Sequence, residues 1–134
     1  MDTISSAERS ALMSRVRSRK NRSTELKLAT LFRAAGIKGW RRHYPIIGKP
    51  DFVFRSRKIA IFVDGDFWHG NPDNLRIPKS RVDFWMAKID KNRIRDSVVN
   101  STLKERGWTV IRIWESTLQK FPDECIKRVT SVLS

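Results

Sequence analysis

The run Ile59-Ala-Ile-Phe-Val63, closed by Asp64-Gly65, constrains the fold more than any other segment. A half-buried strand alternates apolar and polar side chains. One that is apolar throughout needs cover on both faces, as a central strand of an α/β sheet has. A second β-rich run spans residues 51–54 behind Pro50, and the basic turn Arg55-Ser-Arg-Lys58 joins it to a strand over 58–64. Trp40 to Tyr44 reads as a short strand, Pro45 to Lys49 as a turn, and Trp108 to Trp114 as a further strand.

Helices supply the cover. Ser23 and Thr24 can cap a helix running through Ala35, with Leu28, Leu31, Phe32 and Ala35 as its apolar stripe and Gly36 as its stop. From Arg81 to Arg106, steps of three and four put Trp85, Ile89, Asn92, Asp96, Val99 and Leu103 on one face. Two polar residues in an apolar stripe either mark the rim of the core or face a site. Gly107 ends that helix, and Leu118 to Leu133 reads as a last one. Residues 65–80 hold Gly65, Gly70, Pro72 and Pro78 and read as a loop. The expected fold is α/β, a mixed central sheet flanked by helices in one domain over residues 23–134. A chain of 134 residues has room for a single core.

The charge narrows the partners. Twenty-eight Lys+Arg against fourteen Asp+Glu give a formal net charge of +14, the footprint of a protein that neutralises phosphates. No apolar run approaches the ~18 residues of a membrane span, and there is no long basic amphipathic helix. The N-terminus lacks an apolar signal region, and one cysteine, Cys125, fits a reducing compartment, so a cytoplasmic, nucleoid-associated place is expected. Residues 1–22 carry Arg9, Arg15, Arg17, Arg19, Lys20 and Arg22. They form either a solvated tail or an arm that orders along DNA, and Leu12, Met13 and Val16 inside the basic run favour the arm.

Acids, a histidine and aromatics gather around the two central strands. Phosphodiester hydrolysis needs a divalent cation, a deprotonated water and charge on the phosphate, and Mg²⁺ takes oxygen ligands. Asp51 at a strand start is either a turn residue or a metal ligand. Asp64 caps the turn at Gly65 or joins the site, with the Val63 carbonyl also within reach of a metal. His69 is a surface residue or a general base at neutral pH, and Asp96 or Asn92 could orient its ring. Phe67 and Trp68, joined by Trp85, are core anchors or wedges offered to bases. Trp108 and Trp114 read as core.

Taken together, the segments Ser10-Ala-Leu-Met-Ser-Arg15, Gly48-Lys-Pro-Asp-Phe52, Ile61-Phe-Val-Asp-Gly-Asp-Phe-Trp-His-Gly70, Phe84-Trp-Met-Ala-Lys-Ile89, Asn92-Arg-Ile-Arg-Asp96 and Gly107-Trp-Thr-Val-Ile-Arg-Ile-Trp-Glu115 resemble the very short patch repair (Vsr) endonucleases. The resemblance implies a PD-(D/E)xK nuclease core and a Mg²⁺-dependent nick, with one or two ions, 5′ of the T in a T·G mismatch. It implies a monomer acting on double-stranded DNA. Asp51 and the Val63 carbonyl, with Asp64 beside them, would hold metal; Glu25 would hold a water of the metal's shell; His69 would be the base and Asp96 a supporting acid. Met13, Phe67, Trp68 and Trp85 match the intercalating residues, and Arg15, Arg17, Arg19, Lys88 and Asn92 complete the expected DNA contacts.

The chain departs from the pattern at two places. The second acid of the nuclease motif falls at Phe62 and its lysine at Asp64, where many Vsr proteins carry a histidine. The zinc-binding positions of the family are taken by Asp66, Asn71, Asp73 and Ser116, so no structural zinc is expected and the 65–80 loop would be held by packing. A same-core nuclease with another target (restriction, homing or mobile-element) and a DNA-binding protein with a silenced core are the alternatives, with an RNA-binding module further off.

Overall fold

The computed structural model describes residues 24–73 and 77–133. The basic segment with Met13, Arg15, Arg17 and Arg19 lies outside the described residues. A helix over 24–34 (α1) leads into a four-stranded sheet made of β1 (Trp40–Arg42), β2 (Phe52–Phe54), β3 (Ile59–Asp64) and β4 (Thr109–Trp114). The strands lie in that order, with β1–β2 and β2–β3 antiparallel and β3–β4 parallel. The parallel pair needs a crossover, and the long helix α2 (Val82–Glu105) supplies it.

All six residues of β3 are buried, as the apolar run required. Alternation sorts them. Ile59, Ile61 and Val63, with Ile111 and Ile113 of β4, face a core built with Leu28 and Phe32 of α1 and with Leu118, Cys125 and Val129. Ala60 and Phe62, with Val53, face α2 through Val99 and Leu103. Burying each such Leu, Ile or Phe stabilises the fold by roughly 1.5–3 kcal/mol, so the two clusters fix the sheet between its helices. The same alternation turns Asp64 and Arg112 toward the α2 side.

The expected terminal helix is two helices, α3 (Glu115–Lys120) and α4 (Pro122–Leu133). Pro122 cannot continue a helix from the preceding turn but fits a first helical position, so the chain breaks at Phe121 and restarts. Helix α2 buries Trp85, Ile89, Val99 and Leu103, the face the spacing indicated. Of the tryptophans read as core, Trp108 and Trp114 are only half-buried. Trp108 still packs against the α2-side core and lies 6.4 Å from Tyr44. Trp40, equally half-buried, packs against Phe32 and Phe52 with ring centroids 5.9 and 5.5 Å away.

Candidate active site and nucleic-acid interface

The site forms where β2 begins and β3 ends, against the middle of α2. Gly48, Lys49, Asp51, Phe62, Val63, Asp64, His69, Asn92, Arg95, Asp96, Val99 and Arg112 line a cavity of about 180 Å³. The approach to β2 is tightly specified. Gly48 has φ +80°, and a Cβ there would meet Val99 Cγ1 at 2.5 Å, so this turn accepts only glycine. Lys49 follows with φ 48°, an uncommon left-handed conformation for a residue before proline. Together they turn Asp51 inward.

Asp51 accepts a 2.6 Å hydrogen bond from the Val63 backbone N–H, which pins it across the β2–β3 pair. Glu25, in the first turn of α1, hydrogen-bonds to Asp51 and accepts from Arg42 Nη2 at 2.7 Å. Burial and the neighbouring Glu25 push the Asp51 carboxyl up to about 8. Burial also acts to raise Glu25, but its hydrogen bonds with Asp51 and Arg42 and the charges of His43 and Arg42 outweigh it, so Glu25 sits below its ordinary value. The pair therefore shares a proton, Asp51 donating to Glu25. Two adjacent carboxylates that share one proton offer the oxygen ligands a hard divalent ion takes.

The second group lies across the cavity. His69 Nδ1 donates to Asp96 Oδ2 at 2.5 Å, which leaves Nε2 as the nitrogen facing the site, 3.8 Å from Asp64 Oδ1. Asp64 is buried and pairs with Arg112 Nη1 at 3.0 and 3.1 Å. Burial raises the Asp64 carboxyl, opposed by the charges of His69 and Arg112. Among the described residues, Asp64, His69 and Asp96 are the group of metal-capable side chains with ligand atoms within 4.8 Å of one another. Asp51 and Glu25 thus stand apart from that trio, which the sequence could not separate. Arg112 was missed: β4 reads as an ordinary strand, and nothing local marks one of its residues as a partner of Asp64.

Asn92 does not orient the imidazole. Its Nδ2 donates to the Trp68 carbonyl at 2.7 Å and so holds the loop next to the histidine. Phe67, Trp68 and Trp85 form an edge-to-face cluster with centroids 5.1 to 6.1 Å apart. Trp85 is 1% exposed and Trp68 7%, so of the two readings, core anchor or wedge, these two rings take the anchor's place in this structure. Their rings are packed in the interior, and Phe67 is the half-buried member of the cluster. The buried Trp85 indole N–H has no hydrogen-bond partner among the described residues, so the cluster is not fully satisfied in this state. Lys88 lies over the Phe84 ring at 5.0 Å, beside the same cluster.

The positions expected to have lost zinc are tied by hydrogen bonds rather than by packing alone. Asp66 Oδ1 accepts from Asn71 Nδ2 and from Ser116 Oγ, both at 2.7 Å, and Oδ2 accepts from the Ser116 backbone N–H at 3.1 Å. Asn71 Oδ1 in turn accepts from the Asp73 N–H at 3.1 Å. One carboxylate thereby staples the 66–73 loop to the start of α3.

A mixed sheet with acids converging at the edge of its central strands, against a helix that supplies another, has the architecture of an α/β nuclease core. The family described as DNA mismatch endonuclease Vsr matches residues 1–75. The type II nicking enzyme V.NmeDIP of Neisseria meningitidis serogroup C is 38% identical over 131 residues, 96% of this chain and 88% of that one. The type II nicking enzyme V.HpaIIP of Haemophilus parainfluenzae is 37% identical over 126 residues, 92% and 89% of the two chains. The DNA mismatch endonuclease Vsr of Escherichia coli K12 is 35% identical over 129 residues, 93% and 82%. The chain belongs to the Vsr family and is a DNA endonuclease.

Proposed function

We propose that this endonuclease nicks one strand of duplex DNA on the 5′ side of the T in a T·G mismatch, with Mg²⁺ as cofactor, acting as a monomer in the bacterial cytoplasm. The observation that carries the chemistry is the meeting, in one cavity, of Asp51, backed by Glu25, with the His69–Asp96 dyad. The target is supported by the family and by relatives that are nicking and mismatch enzymes.

Asp51 and the Val63 carbonyl would hold one cation, with Glu25 holding a water beside it; Asp64, already paired with Arg112, would not be needed by it. A bound divalent ion supplies charge against the phosphate and acidifies water. His69 Nε2 takes the proton from the attacking water while Asp96 keeps the ring in the tautomer that leaves Nε2 basic. Lys49 and Arg95 at the cavity mouth meet backbone phosphates. Phe67, backed by Trp68 and Trp85, enters the stack beside the mismatch, and the 66–73 loop shapes the pocket for it without zinc. Arg15, Arg17, Arg19, Met13, Lys88 and Asn92 extend the interface.

A same-core nuclease with another target is the second reading, favoured by the Asp66 network, which rebuilds the loop nearest the base pocket. Labelled duplexes that differ only by T·G against T·A, incubated with Mg²⁺, separate the two. A single cut beside the mismatched T, on one strand, is expected. Equal cutting of both duplexes would move the target elsewhere, and tight binding with no cutting of either would favour a silenced core.

A further inference from the structure

Arg112 serves no purpose that the strand alone requires. It stands on β4 opposite Phe62 in the parallel register, with its guanidinium carbon 4.1 Å from the centroid of that ring. Its Nε donates to Asn100 Oδ1 of α2 at 2.7 Å. Its Nη1 reaches both oxygens of Asp64 and lies 3.5 Å from Asp96 Oδ1. One fixed cation therefore spans the two carboxylates that flank His69. The geometry has a consequence for the imidazole. Asp96 takes Nδ1, and Asp64 Oδ1 stands only 3.8 Å from Nε2. Unrestrained, Asp64 would need to move only about an ångström to accept a hydrogen bond from Nε2, which would take up a proton from solvent to donate it. The ring would then be clamped between two anions, with no nitrogen left for water.

We propose that Arg112 is a positioning residue of the active site, holding Asp64 back so that Nε2 of His69 stays available to the attacking water. It acts through Asp64, and it offsets on a neighbouring strand the negative charge that Asp64 adds at the end of β3. Asn100 and the Phe62 ring set the guanidinium's place, so the restraint is built from three elements: β3, β4 and α2. A lysine would keep the charge but not the fork that grips Asp64 and Asn100 together.

The role of Nε2 rests on the nuclease reading above; the placement of the ring does not. The test therefore has two readouts on wild type, Asp64→Asn, Arg112→Gln and the double variant. Imidazole ¹H–¹⁵N correlation spectra, without DNA or metal and at neutral pH, report the state of each His69 nitrogen. In wild type Nδ1 carries the hydrogen-bonded proton and Nε2 is free. In Arg112→Gln, Nε2 becomes a hydrogen-bonded N–H as well, and in the double variant it is free again. An unchanged Nε2 in Arg112→Gln overturns the proposal.

Nicking under saturating Mg²⁺ is the second readout. Arg112→Gln lowers kcat about 10- to 100-fold with little change in KM for the duplex, and the double variant regains about tenfold. A loss confined to KM would make Arg112 a plain phosphate contact and overturn the proposal. Should Arg112→Gln fail to fold, Asp64→Asn and the double variant decide. In the Asp64→Asn background there is no anion to restrain, so removing Arg112 costs under about threefold in kcat; a further loss of about tenfold or more overturns the proposal. If wild type nicks no duplex while the spectra behave as described, the nuclease reading falls and the positioning role stands.

Discussion

The two sides of the cavity are built from similar parts and end in opposite electrostatic states. On one side Arg42 reaches Glu25 at 2.7 Å and leaves Asp51 without a cation of its own among the described residues, so that Asp51 keeps a proton up to about pH 8. On the other, Arg112 meets Asp64 at 3.0 Å and Asp96 at 3.5 Å, and His69 lies between the same two acids. The first side is short of positive charge and waits for a ligand that carries it. The second closes its charges internally and can pass a proton without rebuilding itself. A hydrolytic site needs both kinds of environment next to each other, since a cation and a base placed among the same carboxylates would compete for them.

Breaking each side separately sharpens the contrast. The largest effect is expected for Asp51→Asn. Losing several kcal/mol of charge stabilisation on the phosphate corresponds to about 10³-fold or more in kcat, measured by single-turnover nicking. The same variant is not expected to unfold. Removing a carboxyl that is forced to hold a proton stabilises the metal-free protein at about pH 8 by on the order of 1 kcal/mol, readable in a urea melt. His69→Gln comes next, with a loss of about 10²- to 10⁴-fold in rate and unchanged duplex affinity in a gel-shift titration. Asp96→Asn, which only mis-sets the ring, costs less, about 10- to 100-fold.

Smaller effects follow away from the chemistry. Asp66→Ala strips the acceptor from Asn71 and from both donors of Ser116, and each buried donor left unmade costs about 1–3 kcal/mol. Lower thermal stability and faster hydrogen exchange in the 66–73 loop are the expected readouts. Normal stability would mean that packing alone holds the loop. Phe67→Ala is expected to lower the preference for T·G over T·A, by the roughly 1–3 kcal/mol of one stacked base, while leaving the melting temperature nearly unchanged. A collapse in stability would return Phe67 to the core with Trp85.

The pH dependence of folding follows from the first side as well. The Asp51 carboxyl is raised from its ordinary value of 3.8 to about 8, so the folded chain holds a proton that the unfolded chain has released. Stability from this group is complete below the unfolded value and is lost as the pH rises through about 8. Glu25 is lowered and works in the opposite sense, but its contribution fades only as pH falls below its ordinary 4.5, at the acid edge of that window.

Much of this was legible in the residues, and the gaps have physical causes. The unbroken apolar run of β3 demanded two covered faces, and α2 carried its site residues at helical spacing, so Asp96 could be placed on the inward face before any distance was known. Arg112 could not be found that way. Its position in Thr109-Val-Ile-Arg-Ile-Trp114 fits an alternating strand, and the ion pair that gives it meaning joins residues 48 apart in the chain. Trp85 shows the reverse failure. Its grouping with Phe67 and Trp68 left it open as anchor or wedge, while the helix phase that aligned it with Ile89 already pointed to the core. The single helix read from Leu118 to Leu133 overlooked Pro122, although the residue before a proline disfavours helix.

The most direct test of the divided site is the Mg²⁺ concentration needed for half-maximal single-turnover nicking, measured between about pH 6 and about pH 9. If Asp51 and Glu25 hold the cation, the ion must displace the Asp51 proton. The half-saturating concentration should then fall by up to about tenfold per pH unit as pH rises toward about 8 and level off above it. Asp96→Asn should lower the maximal rate and leave that curve in place. Nicking without Mg²⁺, a half-saturating concentration flat across the range, or a curve displaced by Asp96→Asn would each contradict the assignment of the cation to Asp51.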